Sequence, residues 1–140
     1  MAKDFREDKY DFKIQKDEGS FAENLLHLAA VDYDLMSSVS ESNMRPDFGQ
    51  DKYNLSRDVY KTKADVVGLI EQAVADGAAA TKQQGDAGPD KTTPFAWVTG
   101  RHAVHNSYIW ITAIEHSTEH FGQLAAYYRA NNLVPPESRR

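Results

Sequence analysis

Cysteine is absent from this 140-residue chain, which excludes disulfides, thiolate metal ligands and a cysteine nucleophile. Long apolar runs are missing as well. No stretch reaches the roughly 20 residues of a membrane-spanning helix, so no membrane partner is expected. The N-terminus lacks a basic segment followed by an apolar core, the pattern of a secretory signal, and with the missing cysteines this points to a cytoplasmic protein. Basic charge is sparse: 16 lysines and arginines stand against 21 acids, for a net charge of −5. Those cations are scattered and form no stripe of the kind nucleic acid requires, so no nucleic-acid partner is expected. Strand-period alternation and internal repeats are also lacking.

What is present is helical periodicity. A chain of this length, 41% hydrophobic, makes one domain, residues 1–140, with its own core. Residues 1–18 are polar with isolated aromatics (Phe5, Tyr10, Phe12) and read as an irregular lead-in. Ser20-Phe21-Ala22-Glu23 matches a capping box and opens a helix over about 20–39, with Phe21, Leu25, Leu28, Tyr33, Met36 and Val39 as its apolar positions. Pro46, Gly49 and neighbouring Asn, Asp and Ser make 40–56 a loop. A second helix fits about 57–83, with Val59, Val66, Ile70, Ala73, Gly77 and Ala80 at helical spacing. Gly85 to Pro89 end it, and 84–100 form a long connection. The third helix, about 102–131, carries two stripes. Trp110, Ile114, Ser117, Phe121, Leu124 and Tyr128 form one; Ile109, Ala113, His116, His120, Gln123 and Tyr127 form the other. Pro135 and Pro136 prevent continuation. The expected fold class is all-α.

The chemistry concentrates in His116-Ser-Thr-Glu-His120. Two histidines four apart on a helix stand about 6 Å apart along its axis on one face, close enough to share a metal ion. His27, among Leu25, Leu26, Leu28 and Ala29 on the first helix, supplies a third imidazole if the helices pack antiparallel. Three neutral nitrogens leave one coordination position open, the mark of a reactive rather than a structural site. Other candidates read more simply. His102 and His105 fall at the start of the third helix and suit the surface, Glu23 is explained by its cap, and Glu119 points off the histidine stripe toward solvent. His116-x-x-Glu119-His120 also matches the inverted zinc-protease motif. That reading lacks its downstream acidic ligand, because the sole acid after His120 is Glu137 in a proline-rich tail.

The C-terminal run Glu115-His-Ser-Thr-Glu-His-Phe-Gly-Gln-Leu124, followed by Tyr127-Tyr-Arg-Ala-Asn-Asn-Leu-Val-Pro-Pro-Glu-Ser-Arg139, resembles the end of DinB-like (damage-inducible) proteins. These close with His-x-x-x-His-x-Gly-Gln, then Tyr-x-Arg, then Val-Pro-Pro-x-Ser-Arg. Lys9-Tyr10-Asp11-Phe12-Lys13, Ser20-Phe21 and Leu25-Leu26-His27-Leu28-Ala29 resemble the family's entry into its second helix, with Ile14 where a proline is usual. The resemblance implies a helical bundle carrying a divalent metal, usually zinc or nickel, on three histidines that match His27, His116 and His120. It also implies, for some members, transfer or cleavage of adducts of low-molecular-weight thiols such as bacillithiol, mycothiol or glutathione.

In that family a further helix precedes the Tyr10 region, where nine residues stand here. The expectation is therefore a DinB-like bundle lacking the first of its usual four long helices, through a shortened gene start or by adaptation. Such a bundle would expose an apolar groove of roughly several hundred Å², covered by self-association into a homodimer or higher homo-oligomer. Two functional readings follow. One is a metal-dependent transferase or hydrolase that takes its thiol from a cosubstrate; the other is a non-catalytic metal-binding or oligomeric helical scaffold. A third treats the histidines as buried polar residues of an interaction module.

Overall fold

The structure, a computed structural model, describes residues 1–40, 46–48, 51–97 and 102–139. It is built on three helices, α1 (Phe21–Val39), α2 (Lys63–Gln84) and α3 (Asn106–Ala130). No described helix is long and apolar enough to cross a membrane. Helix α1 opens as expected: the Ser20 hydroxyl accepts from the Glu23 amide and the Glu23 carboxylate accepts from the Ser20 amide at 2.6 Å. Every apolar position expected on this helix is buried.

Helix α2 starts later than the expected 57. A second capping box, Thr62 with Asp65, sets its first turn, and the segment before it is held in a turn by Arg57, whose guanidinium donates to the carbonyls of Tyr60 and Lys61 and to Asp11. Val59 is consequently exposed rather than part of an apolar stripe. Gly77 lets α2 approach α1 closely, since a Cβ there would stand 3.2 Å from Met36 Cγ. Gly85, at φ 62°, ends the helix in a conformation that suits glycine.

Helix α3 also begins later than the expected 102, and the all-α expectation needs one correction. Residues 103–105 form a short strand, β2 (Ala103–His105), antiparallel to β1 (Thr92–Pro94). Three-residue strands are too short to show a period-2 pattern. Buried Asn106 locks this hairpin to the helices, accepting from Thr93 at 2.8 Å and donating to Gln84 at 2.7 Å. At its far end α3 stops in a Schellman arrangement: Leu133 N–H donates to Tyr128 O, Asn132 N–H to Arg129 O, and Asn132 takes φ 56°. Gly49 and residues 98–101 lie outside the described residues.

Helix α1 is the hub. It packs against both α2 and α3, while those two barely touch each other. The expected irregular lead-in is irregular but not peripheral. Phe5 stacks on Phe21 with centroids 3.9 Å apart, Tyr10 meets the same ring edge-on at 5.4 Å, and both are fully buried against Tyr128 and Leu124. Arg139 pairs with Asp4 at 2.5 Å, fastening one end of the chain to the other. Because α2 and α3 do not close on each other, an apolar groove remains between them with α1 as its floor. Ile114 and Phe121, expected on a core stripe, are exposed along it.

Candidate metal centre

His27 sits in the second turn of α1, and its ring reaches across the α1–α3 seam to His116 and His120, one turn apart on α3. Ring centroids lie 5.4 Å (His27–His116), 5.1 Å (His27–His120) and 4.5 Å (His116–His120) apart. One nitrogen from each ring lies within 4.8 Å of the others. Three nitrogens bound at about 2.0–2.1 Å around one tetrahedral ion stand about 3.4 Å apart. Small side-chain rotations therefore suffice to bring these three onto a shared ion, and the cluster could hold one.

The polar environment fits that use. The Nδ1 of His27 lies 2.9 Å from the backbone carbonyl of Tyr53. A carbonyl only accepts, so Nδ1 carries a hydrogen and Nε2 is the nitrogen left to ligate; this is the second contact that normally fixes a ligating imidazole. His116 and His120 each bury an Nδ1 that has no hydrogen-bond partner among the described residues. An orphaned buried nitrogen is costly in a purely structural role.

Burial favours the neutral form of the two α3 rings. Burial, then the neighbouring His120 and His27, drives the His116 pKa down to about 4. Burial and His27 lower that of His120. Neutral imidazole is the ligating form. No carboxylate joins the three histidines as a ligand among the described residues.

The remaining sequence candidates fall where the simpler readings put them. Glu23 is engaged in its cap and with Lys13. His102 and His105 are exposed, the latter with Nδ1 3.1 Å from the Asp90 carbonyl. Glu119 is exposed and accepts from Gln123, though its charge still opposes the pKa lowering at both α3 histidines.

Two features were not foreseen. The Tyr53 carbonyl belongs to a loop backbone, which leaves no signature in sequence. Asp34 holds that loop in place: it accepts from the Tyr53 hydroxyl at 2.8 Å, from Lys52 at 2.9 Å and from Trp97 at 3.2 Å. Burial alone would raise the Asp34 pKa, but the hydrogen bonds from Lys52 and Tyr53 outweigh it and hold the carboxyl below its ordinary range. An acid in the middle of an apolar helix was the available clue. Neither a family model nor a curated protein matches this chain.

Proposed function

We propose that His27, His116 and His120 bind one divalent metal ion, zinc or nickel, in a DinB-like bundle, and that the site transforms a low-molecular-weight thiol or its adducts as a transferase or hydrolase. The observation that carries this reading is the meeting of three imidazoles from two helices within 4.8 Å, with no acid among them. When bound, the ion supplies Lewis acidity and an affinity for thiolate sulfur. The chain supplies the rest. Tyr53 fixes the tautomer of His27, Asp34 fixes Tyr53, and burial holds the α3 imidazoles unprotonated at neutral pH. With no cysteine in the chain, the sulfur nucleophile arrives with the cosubstrate.

A non-catalytic metal-binding scaffold is the second reading. It is favoured by the solvent exposure of Glu119, the acid nearest in sequence to the α3 histidines, and by the lack of a carboxylate in the histidine cluster among the described residues. The two readings separate in a turnover assay. Zinc- or nickel-loaded protein is incubated with electrophile adducts of bacillithiol, mycothiol and glutathione. Catalysis requires consumption that depends on the metal and disappears in His116→Ala. Stoichiometric metal without consumption of any adduct supports the scaffold instead.

A further inference from the structure

The open groove between α2 and α3 offers about 580 Å³, within the range of small-molecule sites. Met36 forms part of its floor, Ala73 and Gly77 line the α2 wall, and Ile114 and Phe121 line the α3 wall. Successive helix residues diverge by about 100°, so Ser117 turns into the groove while its neighbour His116 turns to the metal cluster. The two places share no lining residue.

One charged group lies in this apolar surface, the carboxylate of Asp32 on the α1 floor. Its described partner is the Ser117 hydroxyl at 3.5 Å, the outer limit of a hydrogen bond, and among the described residues no cation pairs with it. The other wall hydroxyls are already committed: Thr81 donates to Gly77 O at 3.0 Å and Thr118 to Ile114 O at 2.8 Å. An ionised carboxylate in such a setting is costly without a counter-charge.

We infer that this groove binds an organic cation, a protonated amine on an apolar body, with the ammonium against Asp32 and the body along the Ile114–Phe121 wall. Charge complementarity selects this occupant. A fatty acid would place a second carboxylate beside the first. Two copies facing groove to groove would bury two carboxylates among apolar walls that carry no cation of their own. Burial drives the Asp32 pKa up to about 7, so a cation beside it would offset the cost of ionising this carboxylate. This inference is independent of the metal reading and survives its failure.

Calorimetric titration of the full chain at pH 8 with octylammonium, octanol and octanoate tests it. Octylammonium should bind saturably at one per chain and about tenfold or more tighter than octanol, the usual worth of a charge-assisted hydrogen bond. Asp32→Asn should erase that preference while leaving octanol binding in place. Ala78→Phe, which fills the groove from an exposed wall position, should abolish both. Circular dichroism shows whether each variant remains folded. Equal affinity for octanol and octylammonium overturns the inference, as does a preference that survives Asp32→Asn. So does absence of saturable binding, or a dimer that Ala78→Phe dissociates, which would assign the groove to a second copy.

Discussion

Asparagine at position 32 keeps the shape of the side chain and its contact with Ser117 while removing the charge. Burial raises the carboxyl from its ordinary 3.8 to about 7 in the folded state. A folded acid with a raised pKa retains its proton where the unfolded chain has lost it. Its contribution is therefore intact below pH 3.8, declines as pH rises, and levels off above about 7. At about 1.4 kcal/mol per pH unit the full penalty is about 4 kcal/mol. The groove is open to water, which softens the local dielectric and brings the expected figure to about 2–4 kcal/mol. Asp32→Asn should thus be more stable than the wild type by that amount at pH 8, and by about 1 kcal/mol or less at pH 4.5. For a chain of this size that corresponds to a rise of about 5–10 °C in Tm at pH 8. Urea unfolding of both proteins across pH 4.5–8 measures it. A difference independent of pH, or a variant less stable at pH 8, refutes the reasoning that Asp32 is a desolvated charge.

Other predictions concern the histidines and the frame that carries them. In chelator-treated protein, measured in the Asp32→Asn background to remove its opposing slope, stability should be full above about pH 6.5 and fall as pH drops toward about 4. The lowered His116 pKa makes the unfolded chain the better proton acceptor in that window; about 1–2 kcal/mol is expected after allowance for the ring's partial exposure, and His116→Gln should shrink the loss in urea unfolding. Asp34→Ala releases Tyr53 and with it the orientation of His27, so zinc affinity by competitive titration should fall about 10–100-fold with the helical signal retained. Ser20→Ala removes one half of the α1 capping box and should cost about 1 kcal/mol in urea unfolding. Phe21→Ala should cost about 3–5 kcal/mol, because the ring is fully buried against Phe5, Tyr10, Tyr127 and Tyr128.

The parts of the fold that sequence exposed were those written in local chemistry. The Ser20–Glu23 box placed the start of α1, and the paired prolines after Val134 marked the region where α3 gives way to irregular chain. The start of α2 was equally local, in Thr62 and Asp65, but the apolar Val59 drew the helix six residues too early. The hairpin of 92–94 and 103–105 was hidden because its stability comes from contacts with Asn106 and Gln84 rather than from its own pattern. Packing was the least legible. Phe5 and Tyr10 read as isolated aromatics, and only the tertiary structure shows them filling the space over Phe21. In the same way Ile114 and Phe121 satisfied a helical stripe on paper but face an open groove, because α1 covers just one side of α3. The histidine spacing was legible because i, i+4 geometry is intrinsic to a helix. The loop carbonyl that orients His27 was not, since any residue at position 53 carries one.

Equilibrium dialysis of chelator-treated protein against zinc and against nickel, followed by elemental analysis, tests the shared metal centre most directly. The account predicts one ion per chain in the wild type, loss of that ion in His27→Ala and in His120→Ala, and retention in His102→Ala. A chain that retains no metal above background, or a His27→Ala variant that binds it as well as the wild type, would contradict the central claim.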